Sequence, residues 1–263
     1  MLDKSEQITF SIIGPGAVGT NLAQAMVEAG AELRQVVARN SDHTLKYVAK
    51  QTIADVKQLS QDVELILITT PDDAIAEVVV QLIPNRGRAV VAHTSGSTPL
   101  SALEALGPKV GVIYPLQTFS QGRILKLRDV PFFVEAVNGT AEQVTHYYAS
   151  LCSPCVQFLD SDGRLKLHLG AVFAANFANF MAVCADDLAL MIEKDFRVYI
   201  PLMREVMRKM DELSPLKAQT GPAFRHDRNT LERQEALLAA QKPELAELYR
   251  VVSAAIMARY PRG

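Results

Sequence analysis

The sequence predicts an α/β fold: a doubly wound, mainly parallel sheet followed by a smaller all-helical domain. Three observations predict it. Short β-branched runs alternate with helical stretches from Ile8 to about Asp160. A glycine turn, Gly14-Pro15-Gly16-Ala17-Val18-Gly19, joins the first apolar run directly to the first helix, and strand signals stop after the polar segment Asp160-Ser161-Asp162-Gly163. The boundary is therefore expected between residues 160 and 161, with residues 1–160 as the sheet domain and 161–263 as the helical one.

Strands are expected at Ile8–Ile13, Leu33–Ala38, Val63–Thr69, Ala89–Ala92, Val110–Ile113, Phe132–Val134 and Val156–Leu159. The unbroken apolar run Leu65-Ile66-Leu67-Ile68 suits a central strand covered on both faces. Gly30 closes the first helix, Asp72 or Asp73 caps the one after Pro71, and Thr140 with Gln143 forms a capping box. In the helical domain Leu169, Phe173, Phe177, Phe180, Cys184, Leu188 and Met191 recur at steps of four and three, the period of one buried face. Further helices are expected at Phe196–Leu213, Thr230–Gln241 and Pro243–Tyr260.

The chain has 263 residues, 49% of them apolar and 21% charged, with a formal net charge of -2. That balance gives no global field to attract nucleic acid or an anionic membrane, so small molecules and copies of the chain itself are the expected partners. Residues 167–185 carry no charge, but His168, Gly170, Asn176 and Asn179 fall in that window, which reads as a helix buried in a helical domain or a dimer interface. Polar residues Met1 to Gln7 show no signal core, and three cysteines make no complete disulfide set, so a cytoplasmic location is expected. Cys152-Ser153-Pro154-Cys155 has redox spacing but lies at a helix end, away from the N-terminal position that acidifies a thiol. No metal is expected, because a second Cys/His pair is missing.

A Gly-x-Gly-x-x-Gly turn between strand and helix is the dinucleotide fingerprint of the Rossmann fold. Gly14 permits the tight turn, Gly16 lets backbone approach a pyrophosphate, Gly19 allows close helix packing, and the helix start holds the phosphate charge. An NAD site would place Asp or Glu at the end of the second strand. This chain has Arg39-Asn40-Ser41 there, a cation and short donors for a ribose phosphate, so the expected cofactor is NADP.

These motifs, with Thr70-Pro71-Asp72-Asp73, His93-Thr94-Ser95-Gly96, Tyr114-Pro115-Leu116-Gln117-Thr118-Phe119, Asn176 and Thr220 to Asp227, resemble the Rossmann-like NADP oxidoreductase family. That family is described by analogy with deazaflavin-dependent NADP reductases and pyrroline-5-carboxylate reductase. The resemblance implies a helical C-terminal domain of the 6-phosphogluconate dehydrogenase type and a homodimer formed through it. Two positions depart from the pattern: Tyr114 stands where His is expected, and His226 where Gly is expected. Val172 occupies the position four before Asn176 at which related hydroxyacid dehydrogenases carry Lys, so that machinery is not carried over.

Ligands of open α/β sheets lie beyond the carboxyl ends of the strands. Cofactor contacts are expected from Gly14, Pro15, Gly16, Ala17, Val18, Gly19, Arg39, Asn40, Ser41, Thr70 and Pro71, and substrate contacts from Ser95, Tyr114, Gln117, Asn179 and Arg225. His168, Asn176 and His93 are the catalytic candidates; His93 reads equally as a core imidazole, and the polar stripe of His168, Asn176 and Asn179 as structural hydrogen bonding. Two functions compete. One is hydride transfer between NADP(H) and a small carbonyl or imine substrate, and the other is a non-catalytic NADP(H) sensor or assembly module.

Overall fold

The computed structural model describes residues 8–40, 42–60, 62–84 and 87–261. Its first part is an eight-stranded sheet in the order β3-β2-β1-β4-β5-β6-β7-β8. The strands are β1 (Thr9–Ile13), β2 (Glu32–Val37), β3 (Gln51–Ile53), β4 (Leu65–Ile68), β5 (Val90–His93), β6 (Val110–Pro115), β7 (Phe132–Ala136) and β8 (Val156–Phe158). The first six run parallel; β7 pairs antiparallel with β6 and parallel with β8. The chain order reverses between β1 and β4, which opens a crevice at their carboxyl ends.

Helices cover both faces. Helix α1 (Ala17–Glu28) and α3 (Gly139–Cys152) pack on one, with Leu22, Met26 and Tyr148 against Phe10, Ile12, Leu65 and Leu67. On the other, α2 (Ile75–Leu82) sets Val79 and Leu82 against Ile66, Ile68 and Val91. Neighbouring residues of β4 therefore enter opposite cores, which is why its sequence shows no polar alternation. Each of those four side chains contributes roughly 1.5–3 kcal/mol by leaving water.

Sequence reading missed β3, a three-residue edge strand with one buried side chain, Ile53. It also misassigned two caps. Asn138, not Thr140, caps α3, its Oδ1 accepting the Ala141 N–H at 2.9 Å. Asp72 opens a 3₁₀ turn before α2 and spends its carboxylate on Ser95 and Ser97 instead of the helix. Gly30 does close α1, with φ +98° and its N–H on the Val27 carbonyl.

Asp160 to Gly163 is the capped beginning of a helix. Asp160 accepts the Gly163 N–H at 2.7 Å and starts α4 (Ser161–Ala171), which continues through a π-helical segment, Val172–Phe177, into α5 (Ala178–Leu190). Two compact units divide between Asn176 and Phe177. The second contains α5, α6 (Ile200–Leu213), α7 (Pro215–Ala218), α8 (Arg228–Gln241) and α9 (Pro243–Arg259), with α8 and α9 packed together. Its apolar residues are largely open: Phe180, Val206, Met207 and Val251 are all about half exposed or more. The run Ser161–Leu190 is long and apolar enough to span a bilayer by composition, and none of its most apolar window is buried within the chain.

Candidate functional site

The glycine turn shows three different physical roles. Gly14 has φ +96° and donates its N–H to the Val37 carbonyl, tying the turn to β2. A Cβ on Gly19 would strike the Thr69 hydroxyl and come within 2.5 Å of the Gly14 carbonyl, so this glycine sets how closely α1 meets the sheet. A Cβ on Gly16 would meet nothing within 4 Å. Gly16 is the N-cap of α1, makes no side-chain capping bond, and no acidic residue stands in the first turn. The helix thus presents uncapped N–H groups toward open space, an arrangement suited to a phosphate. Val18 turns its side chain into the core beside α1, leaving Pro15, Gly16 and Ala17 at the surface of the crevice.

Around this helix start lies a cavity of about 500 Å³, lined also by Thr20, Asn21, the segment after β2 (Asp42, His43, Lys46, Tyr47) and the loop Ser120 to Ile124. Arg39 and Asn40 are exposed at the end of β2; Asn40 accepts the Asp42 N–H at 2.9 Å, and Arg39 has no ion-pair partner among the described residues. Ser41 lies outside the described residues. At the end of β4, the buried Thr70 hydroxyl has no hydrogen-bond partner among the described residues, and Pro71 is exposed. An orphaned hydroxyl beside an open glycine turn and an uncapped helix fits a dinucleotide.

A second set of groups gathers beyond β5 and β6. The Tyr114 hydroxyl lies 3.0 Å from His168 Nδ1, and the rings meet edge to face at 5.9 Å between centroids. Burial raises the Tyr114 pKa above the usual phenol value, which keeps the hydroxyl a neutral donor. Gly96 makes the contact possible, since a Cβ there would fall 2.5 Å from His168 Nδ1 and 2.9 Å from the Tyr114 ring.

Arg164, one helical turn before His168 and only 1% exposed, locks this corner. It donates to the carbonyls of Ser95 at 2.9 Å and Thr98 at 2.7 Å, and to Glu135 Oε2 at 2.9 Å. Sequence reading missed it, because a charged residue in a polar turn of α4 looks like a solvated one. Arg164 and the Ser95 loop explain two further residues. The Ser95 hydroxyl is used up, donating to Asp72 and accepting the Ser97 and Thr98 N–H groups. His93 is fully buried, accepts the Ser95 N–H on Nδ1, and turns Nε2 toward the Pro99 carbonyl without a hydrogen bond of normal geometry. Desolvation and then the Arg164 charge push its pKa down to about 4. It is neutral at physiological pH and lies in the buried interior of the sheet.

Gln117 is exposed after β6 and its amide oxygen accepts the Thr118 N–H. Asn176 and Asn179 are exposed on the long helical run. The stripe expected for His168, Asn176 and Asn179 assumed an unbroken α-helix; the π segment slips the face by one residue, roughly 100°. In the second unit, Arg225 is exposed before α8 and adds to the electrostatic pull on Asp227, whose carboxyl is held low first by its bonds to Thr230. Cys152 is buried, with its thiol pushed up to about 12 by desolvation, and Cys155 is exposed. Burial thus keeps the Cys152 thiol protonated.

A Rossmann sheet with this turn, followed by helices, defines the class: a dinucleotide-fold oxidoreductase. Residues 3–117 match the Rossmann-like domain family, and residues 130–256 match a domain family of unknown function, DUF2520. A crystal structure from Bacteroides fragilis, named a "putative NADP oxidoreductase", is 34% identical, covers 96% of this chain and 98% of its own, and superposes with a TM-score of 0.89. The chain belongs to that Rossmann-like and DUF2520 family of NADP oxidoreductases. The fold also matches Streptomyces aurantiacus imine reductase, at 19% identity, TM-score 0.70 and coverage of 95% and 93% of the two chains. Aspergillus terreus reductive aminase in complex with NADPH and ethyl-5-oxohexanoate matches at 15% identity, TM-score 0.71 and coverage of 98% and 96%. No curated protein matches the chain.

Proposed function

We propose that this chain transfers hydride between NADP(H) and a small carbonyl or imine substrate. One observation carries the reading: a phosphate-binding turn with an open Gly16 and uncapped α1 shares the carboxyl edge of the sheet with a half-buried imidazole, His168, held by Tyr114. The naming of the Bacteroides fragilis relative supports NADP as the cofactor, and Arg39 is the cation suited to its ribose phosphate.

Bound NADPH supplies the hydride. The chain's own residues then have to fix the substrate and manage one proton. The hydrogen bond between the Tyr114 hydroxyl and Nδ1 fixes the His168 ring and leaves Nε2 to hand a proton to the acceptor atom. Asn176 offers an amide to orient the acceptor, with Asn179 beside it in sequence. Arg225 offers a guanidinium for a substrate carboxylate or phosphate. Thr70 and Pro71 would hold the nicotinamide end of the cofactor, while Gln117 would contact substrate. His93, neutral and buried, is left out of this scheme.

The same reading assigns residues 161–263 to substrate recognition and to pairing as a homodimer, supported by the exposed Phe173, Phe177, Phe180 and Val183 along one long helical run. It keeps the protein in the cytoplasm, where three free cysteines stay reduced. Calorimetry should find NADPH tighter than NADH, and Arg39→Ala should narrow the gap. A screen of the protein with NADPH against keto acids and imines, followed at the nicotinamide absorbance, should find turnover. Equal affinities and no oxidation would overturn the proposal.

A further inference from the structure

We infer that Arg123, on a loop far in sequence from the glycine turn, is the cation that binds the dinucleotide's pyrophosphate, and that Asn21 positions it. The inference rests on the dinucleotide reading above and adds a binding residue to it. The turn Gly14 to Gly19 contains no cation, and α1 has no basic residue in its first turns, so the backbone alone meets two phosphate charges there. Two cations line the cavity at the helix start. Lys46 is committed to Asp42 at 2.6 Å, whereas the Arg123 guanidinium has no partner among the described residues.

The loop that carries Arg123 is built, not loose. Asn21, on α1 and only 2% exposed, donates from Nδ2 to the Arg123 carbonyl at 3.0 Å and to the Ala17 carbonyl at 2.9 Å, and accepts the Leu125 N–H on Oδ1 at 2.7 Å. One buried amide thus grips the loop on both sides of Ile124 and ties it to the first turn of the phosphate helix. On the loop itself, the Arg123 N–H closes a turn onto the Ser120 carbonyl, with Gly122 at φ +76°. Beyond it Leu125 and Leu127 join the core beside α1. Two of the three hydrogen bonds of this helix side chain go to a loop more than 100 residues away. The anchorage places a planar, bidentate donor at the rim of the same cavity that Pro15, Gly16 and Ala17 line.

The test is calorimetry of the full chain with NADPH and with NADH. Both carry the pyrophosphate, so Arg123→Ala should weaken both by the same factor, about tenfold or more, while Arg39→Ala weakens NADPH alone. Arg123→Lys should recover part of the loss. Asn21→Ala should weaken both cofactors in the parent background but add nothing in Arg123→Ala, a coupling that a purely structural role would not produce. Unchanged affinity for both cofactors in Arg123→Ala overturns the inference and leaves the dinucleotide reading standing. Loss confined to NADPH also overturns it, by moving Arg123 to the ribose phosphate. A parent that binds neither cofactor overturns both readings together.

Discussion

Tyr114 and His168 meet through a hydroxyl and a ring nitrogen 3.0 Å apart, in a space that exists only because residue 96 is glycine. Replacing His168 with Ala removes the proposed acid and leaves the cofactor turn untouched. Turnover on an identified carbonyl or imine should fall by roughly 10² or more, with NADPH affinity nearly unchanged. Tyr114→Phe keeps the ring against Gly96 and removes the hydroxyl, so its loss should be smaller. Full activity in His168→Ala would return this residue to a packing role.

The two outer questions about the glycine turn separate by position. Gly19→Ala drives a methyl into Thr69 and the Gly14 carbonyl, an overpacking that costs about 1–3 kcal/mol and lowers Tm by roughly 2–4 °C per kcal/mol. Gly16→Ala projects into open space, so Tm should hold while dinucleotide affinity falls about tenfold. Thermal melts of the two variants, with titrations of NADPH, distinguish them. A Gly16→Ala protein with the parent's affinity would contradict the close approach of a phosphate.

His93 predicts a pH dependence of stability. Unfolded, an imidazole titrates near ~6.5; folded, His93 titrates at about 4. Its folded pKa is depressed, so between those values the unfolded chain binds the proton more readily and stability falls as pH drops. Urea denaturation at about pH 7 and about pH 5 should show the parent losing about 2 kcal/mol more than His93→Gln over that interval. Equal losses would mean that His93 is not held neutral by burial.

His226 stands at φ +54°, a left-handed backbone position where a side chain costs about 1 kcal/mol relative to glycine. Its Nε2 lies 2.7 Å from the Tyr260 carbonyl, which offsets the strain. His226→Ala and His226→Gly both remove that bond, but only glycine releases the backbone. The glycine variant should therefore be the more stable of the two by about 1 kcal/mol in chemical denaturation. Equal stabilities would show that the residue is relaxed.

The sheet was legible because burial on two faces writes itself into runs such as Leu65 to Ile68, and the tight strand-to-helix turn because Gly14 needs a positive φ and Gly19 a close approach. The antiparallel direction of β7 was not, since Phe132 to Ala136 reads alike in either direction. Arg164, Asn21 and Arg123 were hidden for a common reason: each acts through partners 29 to 104 residues away, and no local period records such a pairing. His226 is the opposite case. It stood out in the sequence as a departure from an expected glycine, and the backbone shows the φ that glycine would have eased.

The strand order also sets a timetable for synthesis. From β4 onward every new strand is laid beside the one made just before it, but β1 must wait for β4, across residues 14–64, before its second edge is paired. At ~5–20 residues per second that wait is roughly 3–10 seconds. Throughout it β1, five residues that end up wholly buried, offers a bare row of amides and carbonyls to any other nascent chain. Variants that slow translation or retard pairing within this stretch should aggregate during synthesis even when the finished protein is as stable as the parent.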